Sequence, residues 1–469
     1  DVGADLRVTI GGQVTEYRDV ATHLKGSAGS LRGIDDKAGF TLSFDHFKKG
    51  QEFNRLTKIN LNNGAQDGTY MVENLGNALF RDAGIPGCRC TNARVWLNGK
   101  DLGVYVLKEG FDDPFLRRFF ADPHGTLYEG GFVRDVNGGL AERVNTSRRD
   151  RDFVKEFVAA AGDTDPARRR ARLEKAVDVD RFYTFMAMEA LTAHWDGYTG
   201  NRNNYRVYHD PAVNKMVFLP HGMDQLFQQP GYPLVPTNAL VAQALVATPE
   251  DRAKYLERVK DLRERVLTPE NVNNHVDRIS AALAPAMKEL GPDAARQHEE
   301  NTRQLRGRVL ERIRNVDRQL GVAAKPLKFD AQGYTAVPPQ GWEDKVDSGP
   351  VRIDRVADGR RALARFKADG ASVASVRQTF TLPQGKYVLE GSVRLNGVTI
   401  ADGTPNAGVG LRISGATRTG GLKGTADWTK VTWPIEVTEP SQDVVLVAEC
   451  RATAGEATFD LGSFRLRKQ

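Results

Sequence analysis

One polar loop constrains this chain more than any other stretch. Residues 194–205 contain Asp196, then Asn201 five positions later, and then a pair of asparagines that ends at Asn204. A second acidic residue, Asp224, follows twenty-eight positions after Asp196, behind an apolar stretch. Carboxylate and amide oxygens are the ligands that hard cations such as Mg²⁺ prefer. The spacing therefore predicts two acidic groups and amide oxygens around one divalent cation.

A helix and two strands are predicted to deliver these groups to one place. Asp178 is a typical helix N-cap, and the apolar stripe behind it predicts a helix that ends near Trp195. Residues 205–208 and the apolar run at 216–219 predict a strand pair that ends before Asp224. Local turn capping is the alternative role for Asn and Asp side chains in such loops. The combination of helix, spacing, strand pair and second aspartate favours a functional site.

The composition is that of an ordinary globular chain. It has 469 residues, enough for two or three domains, with 40% hydrophobic and 27% charged residues. No run of eighteen apolar residues is present, so we expect no transmembrane segment. The net charge of +6 is a mild excess at this length, and we expect no nucleic-acid partner. We also expect a monomer.

The cysteines do not indicate a metal site or a disulfide framework. Cys88 and Cys90 are separated by one residue, and Cys450 lies far away, so the pattern of a zinc site is missing. We expect all three to be unpaired and partly buried. The chain starts at Asp1 and not at Met, which suggests either a removed signal peptide or a trimmed chain.

Residues 1–110 have the pattern of short strands with one helix. A Gly/Ser loop over residues 25–33 could place backbone N–H groups against phosphate, or could be a flexible hairpin loop. Lys58 lies within a predicted strand, and Glu73 lies near the start of a helix predicted over residues 70–83. This is the order of the Lys–Glu pair that orients nucleotide phosphates in kinases, although glutamate is also common in first helical turns.

Helical stripes fill residues 248–321, and the pattern changes at residues 321–326. Beyond that point short alternating strands recur with turns every eight to twelve residues, which predicts a jelly-roll type β-sandwich. Its Trp342, Trp428 and Trp433 would be either core residues or a sugar-stacking surface. The predicted fold class is α+β: a mainly β lobe over 1–110, a mainly helical lobe over 111–322 and an all-β domain over 327–469.

Taken together, residues 25–230 resemble the CotH kinase family, named after the spore coat protein CotH. The pattern H-x-D-x-x-x-x-N, a strand and a second Asp is the polar layout of a kinase catalytic loop and its magnesium-binding aspartate. Residues 56–63 and 95–109 also match. The resemblance implies a bilobal, atypical-protein-kinase-like fold, ATP, Mg²⁺ or Mn²⁺, and phosphorylation of Ser or Thr in a secreted or surface protein.

The resemblance also implies roles for individual residues in the loop. Asp196 would be the catalytic base and Asp224 the main metal ligand. Asn201 and Asn204 would complete the metal site. The second aspartate is followed by Gln-Leu-Phe and not by Phe-Gly, so we expect no kinase-style activation switch there.

In the β lobe, Lys58 would contact phosphates and be held by Glu73, with Lys37 as its rival. Glu109 falls where the hinge between lobes is expected. The irregular spacing of the glycine loop departs from the kinase pattern G-x-G-x-x-G.

Other functions remain open on the residues alone. A non-catalytic surface or adhesion protein could use the kinase-like part as a scaffold and bind glycans through its β-domain. A nucleotidyl transferase could use the same metal site. The C-terminal domain resembles a carbohydrate-binding type of module, which suggests an extracellular or cell-envelope setting.

Overall fold

The chain divides into two compact units, Asp1–Gly321 and Val322–Gln469. The computed structural model describes residues 1–27, 29–144, 148–321, 329–339, 341–358, 361–401, 404, 406–418 and 420–469. Beyond Gly321, the predicted change of pattern at residues 322–326 lies outside the described residues. The predicted α+β class is confirmed, because helices and strands mix in the first unit and antiparallel strands make up the second.

The first sheet of unit 1 has six strands in the order β1-β2-β3-β4-β6-β5. Their bounds are β1 Val2–Ile10, β2 Gln13–Lys25, β3 Gly39–Ser43, β4 Lys58–Asn62, β5 Cys90–Leu97 and β6 Lys100–Glu109. Asn98 and Gly99, which join the last two strands, have φ values of 49° and 82°. Two successive positive φ values match the tight hairpin turn that an Asn-Gly pair favours. Because β6 lies between β4 and β5, it occupies the interior of the sheet.

Helix α1, Val72–Asp82, connects β4 to β5 and packs beneath this sheet. The Asp67 carboxylate accepts hydrogen bonds from the backbone N–H groups of Met71 and Val72, which satisfies donors at the helix start. A Cβ added at Gly76 would lie 2.5 Å from a Leu226 methyl group. The glycine therefore lets α1 approach the segment that follows Asp224.

The rest of unit 1 is mainly helical. Its elements are α2 Asp113–Phe119, β7 Leu127–Gly130, β8 Leu140–Val144, α3 Arg148–Ala161, α4 Pro166–Ala176, α5 Val179–Leu191, α6 Tyr198–Asn201, β9 Tyr205–Asp210, β10 Lys215–Pro220, α7 Leu240–Leu245, α8 Pro249–Arg265, α9 Pro269–Glu289 and α10 Pro292–Gln319. The four strands form a small sheet in the order β10-β9-β7-β8. Within the described part of the chain, no helix is long and apolar enough to cross a membrane.

Helix α5 begins and ends through identifiable contacts. The Asp178 side chain accepts a hydrogen bond from the Arg181 N–H, as expected for an N-cap. The helix ends at Leu191, short of the predicted end near Trp195. Buried Arg312 of α10 donates to the carbonyls of Ala190 and Leu191. A guanidinium at the carboxyl end of a helix binds its unsatisfied carbonyls, so α10 fixes the point where the polar loop starts.

Unit 2 is built from antiparallel strands around one apolar core. They are β11 Tyr334–Ala336, β12 Glu343–Ser348, β13 Val351–Asp358, β14 Arg361–Ala368, β15 Ser372–Thr399, β16 Gly408–Ile413, β17 Gly424–Ala452 and β18 Ala454–Lys468. The prediction of short strands is wrong for β15 and β17, which have 28 and 29 residues. Register shifts, one between Pro383 and Gly385, let these strands bend without losing their pairing.

The three tryptophans of unit 2 differ in their burial. Trp342 is buried in the core of unit 2, and Trp433 packs against that core. Trp428 is half-buried, with the guanidinium groups of Arg361 and Arg394 4.9 and 5.2 Å from its ring centroid. All three cysteines are free, and none is fully exposed, as predicted.

Candidate active site

A cavity of about 620 Å³ in unit 1 is lined by both aspartates of the predicted site. Its walls come from the first sheet, α1 and the segments that follow α5 and β10. Asp196 follows α5, and Asp224 follows β10. The fold therefore brings two carboxylates that are far apart in the chain to one shared cavity.

The Asp196 carboxylate is surrounded by amide donors from its own loop. Its Oδ1 atom accepts a hydrogen bond from Asn201 Nδ2 at 2.7 Å, and its Oδ2 atom accepts one from Asn204 Nδ2 at 2.7 Å. Asn203 Nδ2 lies 3.2 and 3.1 Å from the two oxygens. Three amide groups thus fix the orientation of this carboxylate. They contact it through their nitrogen atoms, so their oxygen atoms are not used in these hydrogen bonds.

The three asparagines are not equivalent. Asn203 and Asn204 line the cavity, whereas Asn201 contacts Asp196 but is not part of the lining. Asn204 has a φ of 46°, a left-handed conformation that asparagine tolerates better than most residues. Asn203 was given no role from the sequence, and the spacing offered no way to choose between adjacent asparagines.

Buried Glu189 holds the loop in place from helix α5. Its carboxylate accepts hydrogen bonds from the Tyr198 and Thr199 N–H groups, at 2.9 and 2.8 Å, and from the Thr199 hydroxyl at 2.6 Å. These N–H groups belong to the first turn of α6, whose start immediately follows the Asp196 segment. Glu189 is therefore a candidate positioning residue. The sequence pattern of α5 does not distinguish it from the core residues of that helix.

The surroundings of the Asp224 carboxylate disfavour its ionised form. Burial, together with the negative charge of Glu73, raises its pKa to about 6. A divalent cation beside it would relieve this repulsion, and hard cations accept a carboxylate together with amide and phosphate oxygens. Among the described residues no group of three His, Cys, Asp or Glu side chains could hold a metal by itself. The donor set thus fits a cation that is completed by amide and ligand oxygens.

Glu73 forms its ion pair with Lys108 and not with Lys58, so the predicted partner is wrong. Lys108 Nζ lies 2.6 Å from Glu73 Oε1, and their side chains are 1% and 3% exposed. Asn62 Nδ2 lies 3.3 Å from the other carboxylate oxygen. Asn62 ends β4 and Lys58 begins it, about 13 Å away along the strand. Lys58 lines the cavity at a different position.

Two further predicted residues point elsewhere. Lys37 is not part of the cavity lining; its ammonium donates to the Tyr70 hydroxyl at 2.7 Å and lies over that ring. Glu109 is buried and forms an ion pair with Arg118 of α2, while also accepting the Arg89 N–H at 2.5 Å. Its carboxylate is therefore committed to holding β6 and α2 together, and it is likewise absent from the lining.

Other lining residues were not singled out by the sequence. Lys25 lines the cavity from the end of β2, and its ammonium donates to the side-chain amide oxygen Oδ1 of Asn62. His221, which follows β10, lies with Nδ1 3.3 Å from Lys108 Nζ. Burial and the charge of Lys108 push the pKa of His221 well below its usual value, so the ring is neutral. The cavity thus combines three lysines, Lys25, Lys58 and Lys108, with the neutral imidazole of His221 and acidic groups.

Comparison with known proteins finds relatives in fungi and bacteria. Invasin CotH3 of Rhizopus delemar is 47% identical over 181 residues, which cover 34% of this chain and 30% of that protein. Inner spore coat protein H of Bacillus subtilis is 22% identical over 191 residues, 38% of this chain and 52% of that protein. The chain therefore spans about a third to a half of the curated relatives it matches.

Solved structures of carbohydrate-binding modules resemble part of the chain. The module TmCBM61 in complex with β-1,4-galactotriose is 18% identical and covers 28% of this chain and 90% of its own, with a TM-score of 0.21. The CBM22-1 xylan-binding domain from Paenibacillus barcinonensis Xyn10C is 16% identical and covers 31% and 97%, with a TM-score of 0.17.

A family model settles the resemblance predicted from the sequence. The model described as CotH kinase protein matches residues 24–315. That range includes both aspartates, the Lys108–Glu73 pair and the helices that support them. The chain belongs to the CotH kinase protein family.

Proposed function

We propose that this chain is an atypical protein kinase that transfers the γ-phosphoryl group of ATP to a Ser or Thr hydroxyl of a protein. The observation that carries the proposal is the single cavity shared by Asp196, Asp224 and the buried Lys108–Glu73 pair. Phosphoryl transfer depends mainly on positioning and on neutralising charge, and it needs these kinds of groups close together. The family match supports the same reaction.

Each group has a role in this reaction. Asp224, with Asn203 or Asn204, would hold Mg²⁺ or Mn²⁺, which neutralises charge on the phosphates when bound. Lys108 would contact a phosphate oxygen while Glu73 keeps it in place. This assignment replaces Lys58 in that role.

Asp196 would bind the acceptor hydroxyl. Its two oxygens already accept hydrogen bonds from three amide groups, so the carboxylate has a fixed direction when the substrate arrives. A hydroxyl that donates to Asp196 would be aimed at the phosphorus atom. In this role orientation contributes more than the removal of a proton.

The decisive test measures binding and transfer separately. Asp224→Ala should abolish metal-dependent ATP binding in calorimetry, whereas Asp196→Ala should bind ATP and fail to transfer radiolabelled phosphate to a protein substrate or to itself. Asp293→Ala, at a side chain that is 92% exposed, is the matched control and should behave like the parent. Normal turnover in both active-site variants would reject the proposal. Mass spectrometry of the product, with phosphate or AMP added, separates a kinase from a nucleotidyl transferase.

The setting we infer is the cell surface or envelope. The relatives are named invasins and a spore coat protein, names that place those proteins at surfaces. We propose that the acceptor is a secreted or surface protein in the same compartment.

A glycan-binding surface protein is the second candidate. It is favoured by a cleft of about 350 Å³ in unit 2 that is lined by polar side chains, including Arg394, Asn396, Asp427 and Glu456. Half-buried Trp428 lies beside Arg394. Binding of a polysaccharide that is lost in Asn396→Ala, without any binding of ATP, would support this function in place of the first.

A further inference from the structure

The lysines of the cavity differ in what balances their charge. Lys108 has a carboxylate partner in Glu73. The Lys25 ammonium donates to the neutral amide oxygen of Asn62, and in the described part of the chain no carboxylate oxygen lies within ion-pair distance of it. Lys25 is therefore a cation inside the cavity that has a hydrogen bond but no counter-ion.

Charged groups of both signs surround Lys25. Burial, and next the positive charge of Lys108 on β6, lower the pKa of Lys25 to about 8. Glu73 on α1 and Asp224 act in the opposite direction, and Arg206 on β9 adds to the repulsion. A half-buried cation whose hydrogen-bond partner is neutral gains from an anion that can replace that partner.

Lys58 lies in a different electrostatic environment, although it lines the same cavity. Its charge acts on His23 and on Asp112, which precedes α2. Gly110 packs against its aliphatic stem, where a Cβ on the glycine would lie 2.8 Å from Lys58 Cβ. Lys58 therefore lies at the end of β4 away from Asn62, and it does not contact the Asn62 amide.

We propose that Lys25 is a phosphate-binding residue of this cavity and that a polyphosphate ligand displaces Asn62 from its ammonium group. The identification of this ligand as a nucleotide rests on the proposed kinase function. The anionic chemistry follows from the uncompensated charge itself. Lys25 and Lys108 would then bind phosphate oxygens from two strands of one sheet.

The test is calorimetry on the full chain with three probes: magnesium tripolyphosphate, magnesium ATP and adenosine. Lys25→Met should weaken the first two by about tenfold to a hundredfold, the usual loss of a charge-assisted hydrogen bond, and leave adenosine unchanged. Lys49→Met, at a side chain that is 82% exposed and lies outside the lining, is the control and should change all three less than about threefold. Lys25→Arg, which keeps the charge, should retain most of the affinity.

A pH series on the parent chain needs no substitution. Its affinity for tripolyphosphate should fall between pH 7.5 and 9.5, as the free ammonium loses its proton, and Lys25→Arg should not show this fall. Equal affinity in Lys25→Met and the parent, or equal losses in the Met and Arg variants, would overturn the inference. Binding of tripolyphosphate without ATP would reject the kinase proposal and keep the Lys25 site. A parent that binds neither would reject both.

Discussion

Lys108 Nζ lies 2.6 Å from Glu73 Oε1, in a pair that joins the inside of the first sheet to helix α1 and excludes almost all water. Burial alone would favour the neutral forms of both groups. The attraction between them is stronger than that effect: it holds the pKa of Glu73 below its usual value and raises the pKa of Lys108. Both groups are therefore ionised, and the cavity has one lysine whose position is fixed before a ligand binds.

Glu73→Gln should destabilise unit 1 because it leaves the Lys108 charge buried without a counter-ion. Breaking a buried pair from one side costs about 3–5 kcal/mol in the free energy of unfolding, which urea denaturation measures. Asp113→Asn, in an exposed pair with Arg117, is the control and should cost no more than about 1 kcal/mol. Equal losses in the two variants would mean that Lys108 finds another partner.

Glu189→Gln should separate positioning from binding. The amide can no longer accept both N–H groups of α6 and the Thr199 hydroxyl, so the Asp196 loop should shift. Displacement of a catalytic group by about 1 Å can reduce a rate about a hundredfold. Phosphate transfer should fall on that scale, with the dissociation constant for magnesium ATP nearly unchanged. Glu264→Gln, on the exposed face of α8, should alter neither quantity.

The parts of this fold that follow from local pattern could be predicted. Helix α1 was expected over residues 70–83 and spans Val72–Asp82, and the N-cap of α5 is the predicted Asp178. Both rest on contacts within a few residues, which a sequence displays directly. The carboxylates of Asp196 and Asp224 were expected to share a cavity, and both line it.

The lysine assignments failed for a different physical reason. Chain order suggested Lys58, which precedes α1, but strand order places β6 next to β4 and sets Lys108 opposite Asn60. Sheet order and register depend on non-local packing, and no periodicity along one strand reveals them. The contact between Lys25 and Asn62 could not be predicted for the same reason, because Asn62 lies two strands away from Lys25 in the sheet.

Gly222→Ala should impair the site more than the fold. Gly222 has a φ of 54°, and a Cβ there would lie 2.4 Å from Asn204 Oδ1. The new methyl group would displace an amide that holds Asp196, so phosphate transfer should fall by about tenfold or more. Gly99→Ala shares the positive φ but meets no atom within 4 Å. Gly99→Ala should therefore lose about 1 kcal/mol of stability and keep its activity. If Gly222→Ala is as active as Gly99→Ala, the Asn204 side chain moves away from the new methyl group without disturbing Asp196.

Stability of unit 2 should depend on pH through Glu449. This fully buried carboxylate contacts Arg412 at 2.7 Å, Arg451 at 3.1 Å and Arg418 at 3.5 Å. Burial opposes its ionisation, but the guanidinium groups of Arg412 and Arg451 outweigh that effect and hold its pKa below the ordinary 4.5. A depressed folded-state pKa gives stability that is complete above the unfolded value and is lost as the pH falls through the folded one.

At pH 7, Glu449→Gln should therefore unfold at a lower temperature than the parent, because it leaves three arginines without a common counter-ion. The difference between the two unfolding temperatures, measured by calorimetry on the full chain, should stay constant down to about pH 5. It should shrink below the ordinary pKa of 4.5, as the parent carboxylate takes up a proton and comes to resemble the amide. Glu436→Gln, at a side chain that is 65% exposed, should show no such convergence. A difference that is as large at pH 3 as at pH 7 would mean that shape, and not charge, makes Glu449 stabilising.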